Sequence, residues 1–316
     1  MKKLLITFFT FFIIKSSFAQ KEDFKNSIGF KSDNDSYLFF GQDQYYTNGV
    51  FLSFQHAMDQ SNLQKNVVKK TWGFSAAHKM YSPYSGNVKF AKYQDRPFAA
   101  YLYGSTNFNW YFKNEAVLKT ELQLGVLGES AFGKEAQEFI HELIGFYEIN
   151  GWQYQIRDMF AINSQIQYQH LITRTDNNKV DLSATGQIDF GNIYQAVGLG
   201  LNLRIGLFNQ MFQSTFTQSA ISNKAITPKF TDKEFYFYYK PFISIRSVDA
   251  TIQGGHNTNS PVTFGIKPYL FTQTVGLSYN KRRFSIDYAA QFNTKEIKSK
   301  AKAHEFGTFT FNYKFN

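Results

Sequence analysis

The sequence predicts an all-β fold, namely a transmembrane antiparallel β-barrel of about twelve strands with one short helix in an extracellular loop. Aromatic residues make up 19% of the chain, with 36 Phe and 20 Tyr, as expected of strands that face lipid on one side and water on the other. Long segments alternate apolar and polar residues with a period of two. No run of 18 or more apolar residues follows the N-terminal leader, so a transmembrane helix is not predicted.

The first nineteen residues predict a signal peptide that is removed on export. Lys2 and Lys3 form a positive start, residues 4–14 are apolar, and Ser17 to Ala19 supply small residues beside a cleavage site. The apolar run is too short for a spanning helix, which disfavours the alternative of a retained anchor. We therefore expect a mature chain, residues 20–316, that forms one outer-membrane barrel domain.

The strands are clearest in the middle and at the C-terminus of the chain. Apolar residues occupy every second position in three segments, namely 196–205, 284–292 and 308–315. Tight turns are predicted at 191–192 and 280–282, and longer polar loops at 59–65, 82–95, 176–179, 214–233 and 254–260. We expect short turns at one end of the barrel and long loops at the other, as is typical of outer-membrane barrels.

Charge and cysteine content narrow the possible partners. The formal net charge is +10, and +7 once Lys2, Lys3 and Lys15 leave with the leader. An exported barrel rarely meets nucleic acid, so an anionic lipid head group is the expected partner, although lysines on solvated rims would give the same balance. There are no cysteines, which excludes disulfides and Cys-ligated metals. Barrels of this size can stand alone, so we expect a monomer.

One helical stretch interrupts the β pattern, from about Gly133 to Gly145. Gln137 and His141 are four residues apart and therefore share one face of that helix. A lone His is more often structural than catalytic. A polar helix of this kind between membrane-type strands nevertheless favours a barrel that performs chemistry over one that only conducts.

Other polar motifs have ordinary explanations when each is taken alone. Asn34-Asp35 suits a turn, and Asn48-Gly49, just after Thr47, is a hairpin signal. Arg96, which enters a strand in the segment Asp-Arg-Pro-Phe-Ala-Ala, is either a rim charge or a phosphate ligand.

Their order along the chain is more specific than any single motif. Asn34-Asp35 comes first and is followed by Tyr-Thr-Asn-Gly at 46–49, Asp-Arg-Pro-Phe-Ala at 95–99, Gln137-x-x-x-His141 and Gly-Trp-x-x-Gln at 151–155. In this order the motifs resemble the outer-membrane lipid A deacylases that remove 3′-O-linked acyloxyacyl chains. The resemblance spans nearly the whole mature chain. It departs from the family at Ala100, where glycine is expected, and at Phe132-Gly133, where Gly-Pro is common.

The resemblance implies a twelve-stranded barrel with a calcium-dependent active site between the wall and a helix from an extracellular loop. It implies that His141 is the general base, that Gln137 is its polar partner and that Thr47 lies in the same site. Asn34 and Asp35 match a catalytic pair, with Asp35 as a calcium ligand, and Glu148 is the candidate for a second acidic ligand. Lys92 and Arg96 are candidates for binding the lipid A phosphates.

The residue chemistry supports this assignment independently. Ester hydrolysis needs a base that titrates near neutral pH, which histidine supplies, and positive charge near the developing oxyanion. Ca²⁺ held by hard oxygen ligands supplies that charge. There is no Gly-x-Ser-x-Gly elbow for a serine nucleophile, so we expect water activated by His141.

Two other classes of protein remain open at this stage. A passive channel or structural barrel would place the same polar residues in its lumen, although it would have no use for the Gln137–His141 helix. An outer-membrane phospholipase would need a lipid-facing Ser beside a His. Ser164 and His170 share one segment, but their spacing corresponds to roughly 20 Å along a strand, which is too far for direct contact.

Overall fold

The computed structural model describes residues 23–38, 43–224, 226, 229–256 and 258–316, so the predicted signal peptide lies outside the described residues. Twelve antiparallel strands form a closed barrel, which confirms the predicted fold and strand number. The strands are β1 (Asn26–Asn34), β2 (Tyr45–Ala57), β3 (Val67–Ser82), β4 (Ala99–Phe112), β5 (Val117–Leu127), β6 (Met159–Arg174), β7 (Val180–Gly191), β8 (Tyr194–Leu207), β9 (Lys233–Asp249), β10 (Tyr269–Lys281), β11 (Phe284–Asn293) and β12 (His304–Phe315).

The helices lie in the connections between strands. The α-helices are α1 (Gly133–Ile144) and α2 (Ala250–Gln253). Single 3-10 turns occupy Asp35–Leu38, Ala91–Tyr93, Glu129–Ala131, Trp152–Tyr154 and Thr215–Thr217. None of the helices in the described part of the chain is long and apolar enough to cross a membrane.

The barrel closes by pairing its first and last strands. Each strand hydrogen-bonds to its neighbours in sequence, and β1 pairs with β12 from Asn26 opposite Phe315 to Asn34 opposite Gly307. We call the end that carries Asn26 and Phe315 the terminal end and the opposite end, which carries α1, the helical end. The longest connection, residues 128–158, lies at the helical end, which is therefore the extracellular one.

Side chains alternate between lipid and lumen along each strand, as the sequence predicts. In β8, Val197 and Leu199 expose 50% and 67% of their surface on the outside, whereas Asn202 and Arg204 are buried inside. Only apolar side chains tolerate contact with hydrocarbon, so the outward row marks the membrane-facing wall. The same parity tells which side of the wall any other strand residue faces.

Three of the five loops predicted for one end of the barrel depart from that pattern, because those at 59–65, 176–179 and 214–233 lie at the terminal end. Residues 208–232 join β8 to β9 at the terminal end, whereas all long loops were expected at the other end. Residues 208–221 fold inward, and the ammonium group of Lys69 donates hydrogen bonds to the carbonyl oxygens of Phe212, Ser219 and Ile221 at 2.6, 2.5 and 2.9 Å. These three bonds satisfy a fully buried cation and hold the segment inside the barrel.

Candidate active site

Helix α1 forms where the sequence favours a helix and stops at a glycine. Residues 134–138 are strong helix formers, and Lys134 pairs with Glu138 one turn later at 3.6 Å. Gly145 ends the helix at φ 73°, a conformation that glycine adopts without strain. The Phe146 amide then donates to the His141 carbonyl at 2.8 Å and closes the last turn. The predicted helix is thus confirmed at both boundaries.

The start of α1 packs on the outer wall of the barrel. Ala100 and His78 are in the outward rows of β4 and β3. His78 Nε2 donates to the Ala131 carbonyl at 2.7 Å, and a Cβ added to Gly133 would lie 2.5 Å from both Ala100 Cβ and the Trp152 ring. Glycine therefore permits the helix to touch the wall directly. The site that α1 carries faces the membrane side of the wall and not the lumen.

The carboxylate of Asp43 lies at the centre of the polar cluster. Its Oδ2 is 2.8 Å from His141 Nε2, and it accepts hydrogen bonds from the Tyr147 hydroxyl at 2.7 Å and from Gln137 Nε2 at 3.3 Å. His141 Nδ1 donates to the backbone carbonyl of Tyr147 at 2.7 Å. A carbonyl only accepts, so Nδ1 carries a proton, and Nε2 is the ring nitrogen that faces the Asp43 carboxylate.

Gln137 is held in place from two sides. Its Oε1 accepts a hydrogen bond from Trp152 Nε1 at 2.7 Å, while its amide nitrogen faces Asp43. Gly86 lies against the same groups, because a Cβ there would be 2.8 Å from Gln137 Nε2 and 3.2 Å from Asp43 Oδ2. Gln137 and His141 are both buried and both contact Asp43, which confirms that they share one helix face.

Asn34 and Asp35 lie where β1 reaches the helical end. Asn34 faces outward, and its Nδ2 donates to Asn48 Oδ1 on β2 at 2.7 Å. Its Oδ1 accepts from the Ser36 amide at 2.7 Å, which is the turn geometry that the sequence suggested for this motif. Thr47 is buried at an irregularity in the β2–β3 pairing, and its hydroxyl reaches the Met80 carbonyl at 3.4 Å.

Asp35 is the most electrostatically perturbed group of the cluster. Its Oδ2 accepts from the Gln44 amide at 2.8 Å, and the carboxyl is only 5% exposed. Burial, assisted by the nearby negative charge of Asp43, raises the pKa of Asp35 to about 8. Burial and the hydrogen bond to Asp43 also raise the pKa of the Tyr147 hydroxyl well above its usual range. In the absence of a cation, Asp35 therefore keeps its proton at neutral pH and adds no second negative charge beside Asp43.

The donor set fits a hard cation. The proximity of Asp43 adds to the cost of ionising Asp35, and carboxylate oxygen is the ligand that Ca²⁺ prefers. Within the described ranges, no group of three or more His, Asp or Glu side chains is arranged to hold a metal. Backbone carbonyls and water would have to complete the coordination, as is common for Ca²⁺.

Three of the predicted site residues lie apart from this cluster. Glu148 has an exposed side chain, and its described contacts do not join it to Asp35. Lys92 is exposed and lies over the Tyr93 ring at 4.9 Å. Arg96 is on the luminal side of the wall, 4.3 Å from the Tyr81 ring, where it lines a cavity of about 330 Å³. The wall thus separates Arg96 from His141.

Sequence reasoning missed Asp43, Tyr147 and Gly86. Asp43 lies in the connection between β1 and β2, which begins at Asp35, and nothing in its immediate sequence distinguishes it. The sequence held only an indirect signal for Asp43, namely that a helix face with Gln137 and His141 calls for an acidic partner on a neighbouring loop. Tyr147 lies just after the end of the helix, and its position in the sequence does not distinguish it from the other tyrosines of the chain.

The fold and the cluster define a class of protein. A closed barrel with an apolar outer wall, which carries a buried His–Asp pair outside the lumen near the extracellular rim, is an outer-membrane barrel. Residues 4–315 match the family of the outer membrane protein LpxR, and the chain belongs to this family. This is the lipid A deacylase family that its motifs resemble, and it places the protein in the outer membrane.

One solved structure agrees with this fold, and two others resemble it more weakly. LpxR from Salmonella typhimurium superimposes with a TM-score of 0.72 at 18% identity, over 92% of this chain and 100% of that one. The KdgM porin gives a TM-score of 0.43 at 8% identity, over 92% and 99% of the two chains. The β domain of the Bordetella autotransporter BrkA gives 0.46 at 8% identity, over 93% and 100%. Among curated proteins, none matches the chain in sequence.

Proposed function

We propose that the protein is a calcium-dependent hydrolase that removes 3′-O-linked acyl or acyloxyacyl chains from lipid A in the outer leaflet. The observation that supports this most is the position of the His141–Asp43 pair. The pair lies on the membrane side of the wall, where an ester of an outer-leaflet lipid can reach it, and not in the lumen. Membership of the LpxR family supports the substrate class.

His141 is the proposed general base. Its Nδ1 proton is held by the Tyr147 carbonyl, so Nε2 is the nitrogen that accepts the proton of the attacking water. It does so in the neutral form of the ring, after the proton shared in the contact with Asp43 Oδ2 has left to solvent. The hydroxide adds to the ester carbonyl, and the tetrahedral intermediate then expels the sugar alkoxide. The imidazolium of His141 returns its proton to that alkoxide, which leaves a free fatty acid and a lipid A hydroxyl.

Asn34 and Asp35 have separate proposed roles. The amide of Asn34 has two N–H groups, and one of them binds Asn48 while the other is directed to the oxyanion. Asp35 and Asp43 are the residues that would hold Ca²⁺, which when bound supplies positive charge to the same oxyanion. Thr47 has a supporting role, because its hydroxyl contact is long.

The two alternatives of a passive channel and a phospholipase have less support. Residues 208–221 fold into the lumen and narrow the path that a conducting barrel would need. Ser164 and His170 both lie in the outward row of β6, six residues apart, so no Ser–His pair is assembled there.

The proposal is tested by mass spectrometry of lipid A from outer membranes that carry the wild-type chain, His141→Ala or His170→Ala. His170→Ala is the matched control, because His170 also faces outward but lies near the terminal end of β6. We expect loss of an acyl or acyloxyacyl mass with the wild type and the control in Ca²⁺, and no loss with His141→Ala or with a chelator. Full activity of His141→Ala would refute the mechanism. Unchanged lipid A under every condition would refute the proposed function.

A further inference from the structure

Helix α1 carries a second surface that the proposed chemistry does not use. Three large apolar side chains form a stripe along it, with exposed fractions of 59% for Phe132, 66% for Phe139 and 74% for Leu143. Neighbouring residues of an α-helix are rotated by about 100°, so Phe139 and Leu143 point about 160° away from His141. The stripe therefore faces away from the cluster around Asp43.

A third face of the same helix is polar. Lys134, Glu135, Glu138 and Glu142 lie between the His141 face and the apolar stripe on one side, and Lys134 and Glu138 form an ion pair there. The helix is thus amphipathic, with charged residues segregated from the stripe. This is the pattern of a helix that lies at a membrane surface, where one face meets hydrocarbon and the other meets water.

The stripe continues a surface that lipid already covers. The start of α1 rests on the outward rows of β3 and β4 through His78 and Ala100. The same wall exposes Leu102 and Leu124, at 36% and 47%, in the outward rows of β4 and β5. Because the helix is fixed to the outside of that wall, its exposed apolar side chains extend into the same lipid layer that contacts Leu102 and Leu124.

We infer that the stripe of Phe132, Phe139 and Leu143 is embedded among the acyl chains of the outer leaflet and anchors α1 as an interfacial helix. The anchor sets the depth of the helix, and therefore of His141 on its opposite face, relative to the lipid. The inference rests on the surface of α1 and on the wall beneath it. It holds whether or not the site hydrolyses lipid A.

The chain contains no cysteine, so single cysteines introduced for labelling are unique. We would prepare Phe139→Cys, Leu143→Cys and, on the polar face, Glu142→Cys, and attach an environment-sensitive fluorophore to each. The labelled full-length barrels are reconstituted in phosphatidylcholine vesicles. Quenching is then measured with a lipid that has a nitroxide on its acyl chain and, separately, with aqueous iodide. Heat-modifiable migration on a gel verifies that each variant is folded.

We expect the acyl-chain nitroxide to quench the labels at 139 and 143 at least about twofold more than the label at 142, and iodide to show the opposite order. Labels at 139 and 143 that respond to iodide as strongly as the label at 142 would overturn the inference. Protection of these labels from both quenchers would mean that a protein chain covers the stripe, which would also overturn it. Neither readout depends on enzymatic activity, so a failed anchor and a failed enzyme are distinguishable.

Discussion

Replacing Asp43 by asparagine tests the centre of the cluster with almost no change in volume. Asp43 Oδ2 contacts three groups, namely His141 Nε2 at 2.8 Å, the Tyr147 hydroxyl at 2.7 Å and Gln137 Nε2 at 3.3 Å. An amide presents one oxygen and one NH₂ group in place of two carboxylate oxygens. All three contacts are to one oxygen atom, which the amide oxygen of asparagine can replace, so the main change is the loss of the negative charge beside His141.

The expected size of the effect follows from these contacts. A hydrogen bond to a charged group contributes about 1.5–3 kcal/mol, and a positioned acid or base contributes about 10²–10⁴ in rate. We expect Asp43→Asn to lower the deacylation rate within that range, which corresponds to about 3–5 kcal/mol of barrier. Tyr147→Phe removes a single donor and keeps the carboxylate, so its rate should fall by no more than about tenfold.

The assay is the initial rate of acyl release from lipid A in vesicles, followed by mass spectrometry in Ca²⁺. Glu142→Gln is the control, because Glu142 is on the same helix but exposed on its polar face. The double variant Asp43→Asn/His141→Ala should be no slower than His141→Ala alone, since two residues that act as one unit are not additive. A full rate for Asp43→Asn, or multiplicative losses in the double variant, would refute the reasoning.

Three further predictions concern the surroundings of the cluster. Thr47→Ala should lower the rate by no more than about tenfold in the same assay, because its hydroxyl makes only a 3.4 Å contact. With Ca²⁺ chelated, the folded chain keeps the Asp35 proton up to a pKa of about 8, against 3.8 for the free side chain. The free energy of unfolding should therefore fall between about pH 4 and 8, by up to about 1.4 kcal/mol per pH unit. Urea unfolding in vesicles measures this fall, and Asp35→Asn should remove it; an unchanged slope would contradict the assignment. Gly86→Ala places a Cβ 2.8 Å from Gln137 Nε2 and 3.0 Å from the Tyr147 hydroxyl, so the rate should drop about 10- to 100-fold, and an undiminished rate would show that the cluster tolerates displacement.

Most of the fold could be predicted because a membrane imposes a strict pattern on strands. The alternation in residues 196–205 and 308–315 reports directly which side chains meet lipid, and β8 and β12 are found there. The placement of residues 208–232 could not be predicted in this way. Their position depends on the buried ammonium group of Lys69, some 140 residues or more earlier in the chain, and no local pattern encodes a contact of that range.

The candidate site could be predicted only where its residues are periodic. Gln137 and His141 lie four residues apart on a helix, so their common face follows from the sequence alone. Asp43 reaches them across 94 residues or more, and only the folded chain brings these residues together. The position of Arg96 could not be predicted either, because the sequence next to a strand does not show whether a side chain faces the lumen or the lipid.

The inward fold of residues 208–221 has a consequence for the cell that carries this protein. A bacterium relies on its outer membrane to exclude bile salts, large antibiotics and other toxic solutes, and every wide pore weakens that defence. In this barrel residues 208–221 occupy part of the interior at the terminal end, so a solute that entered the lumen would meet a segment of the protein's own chain there.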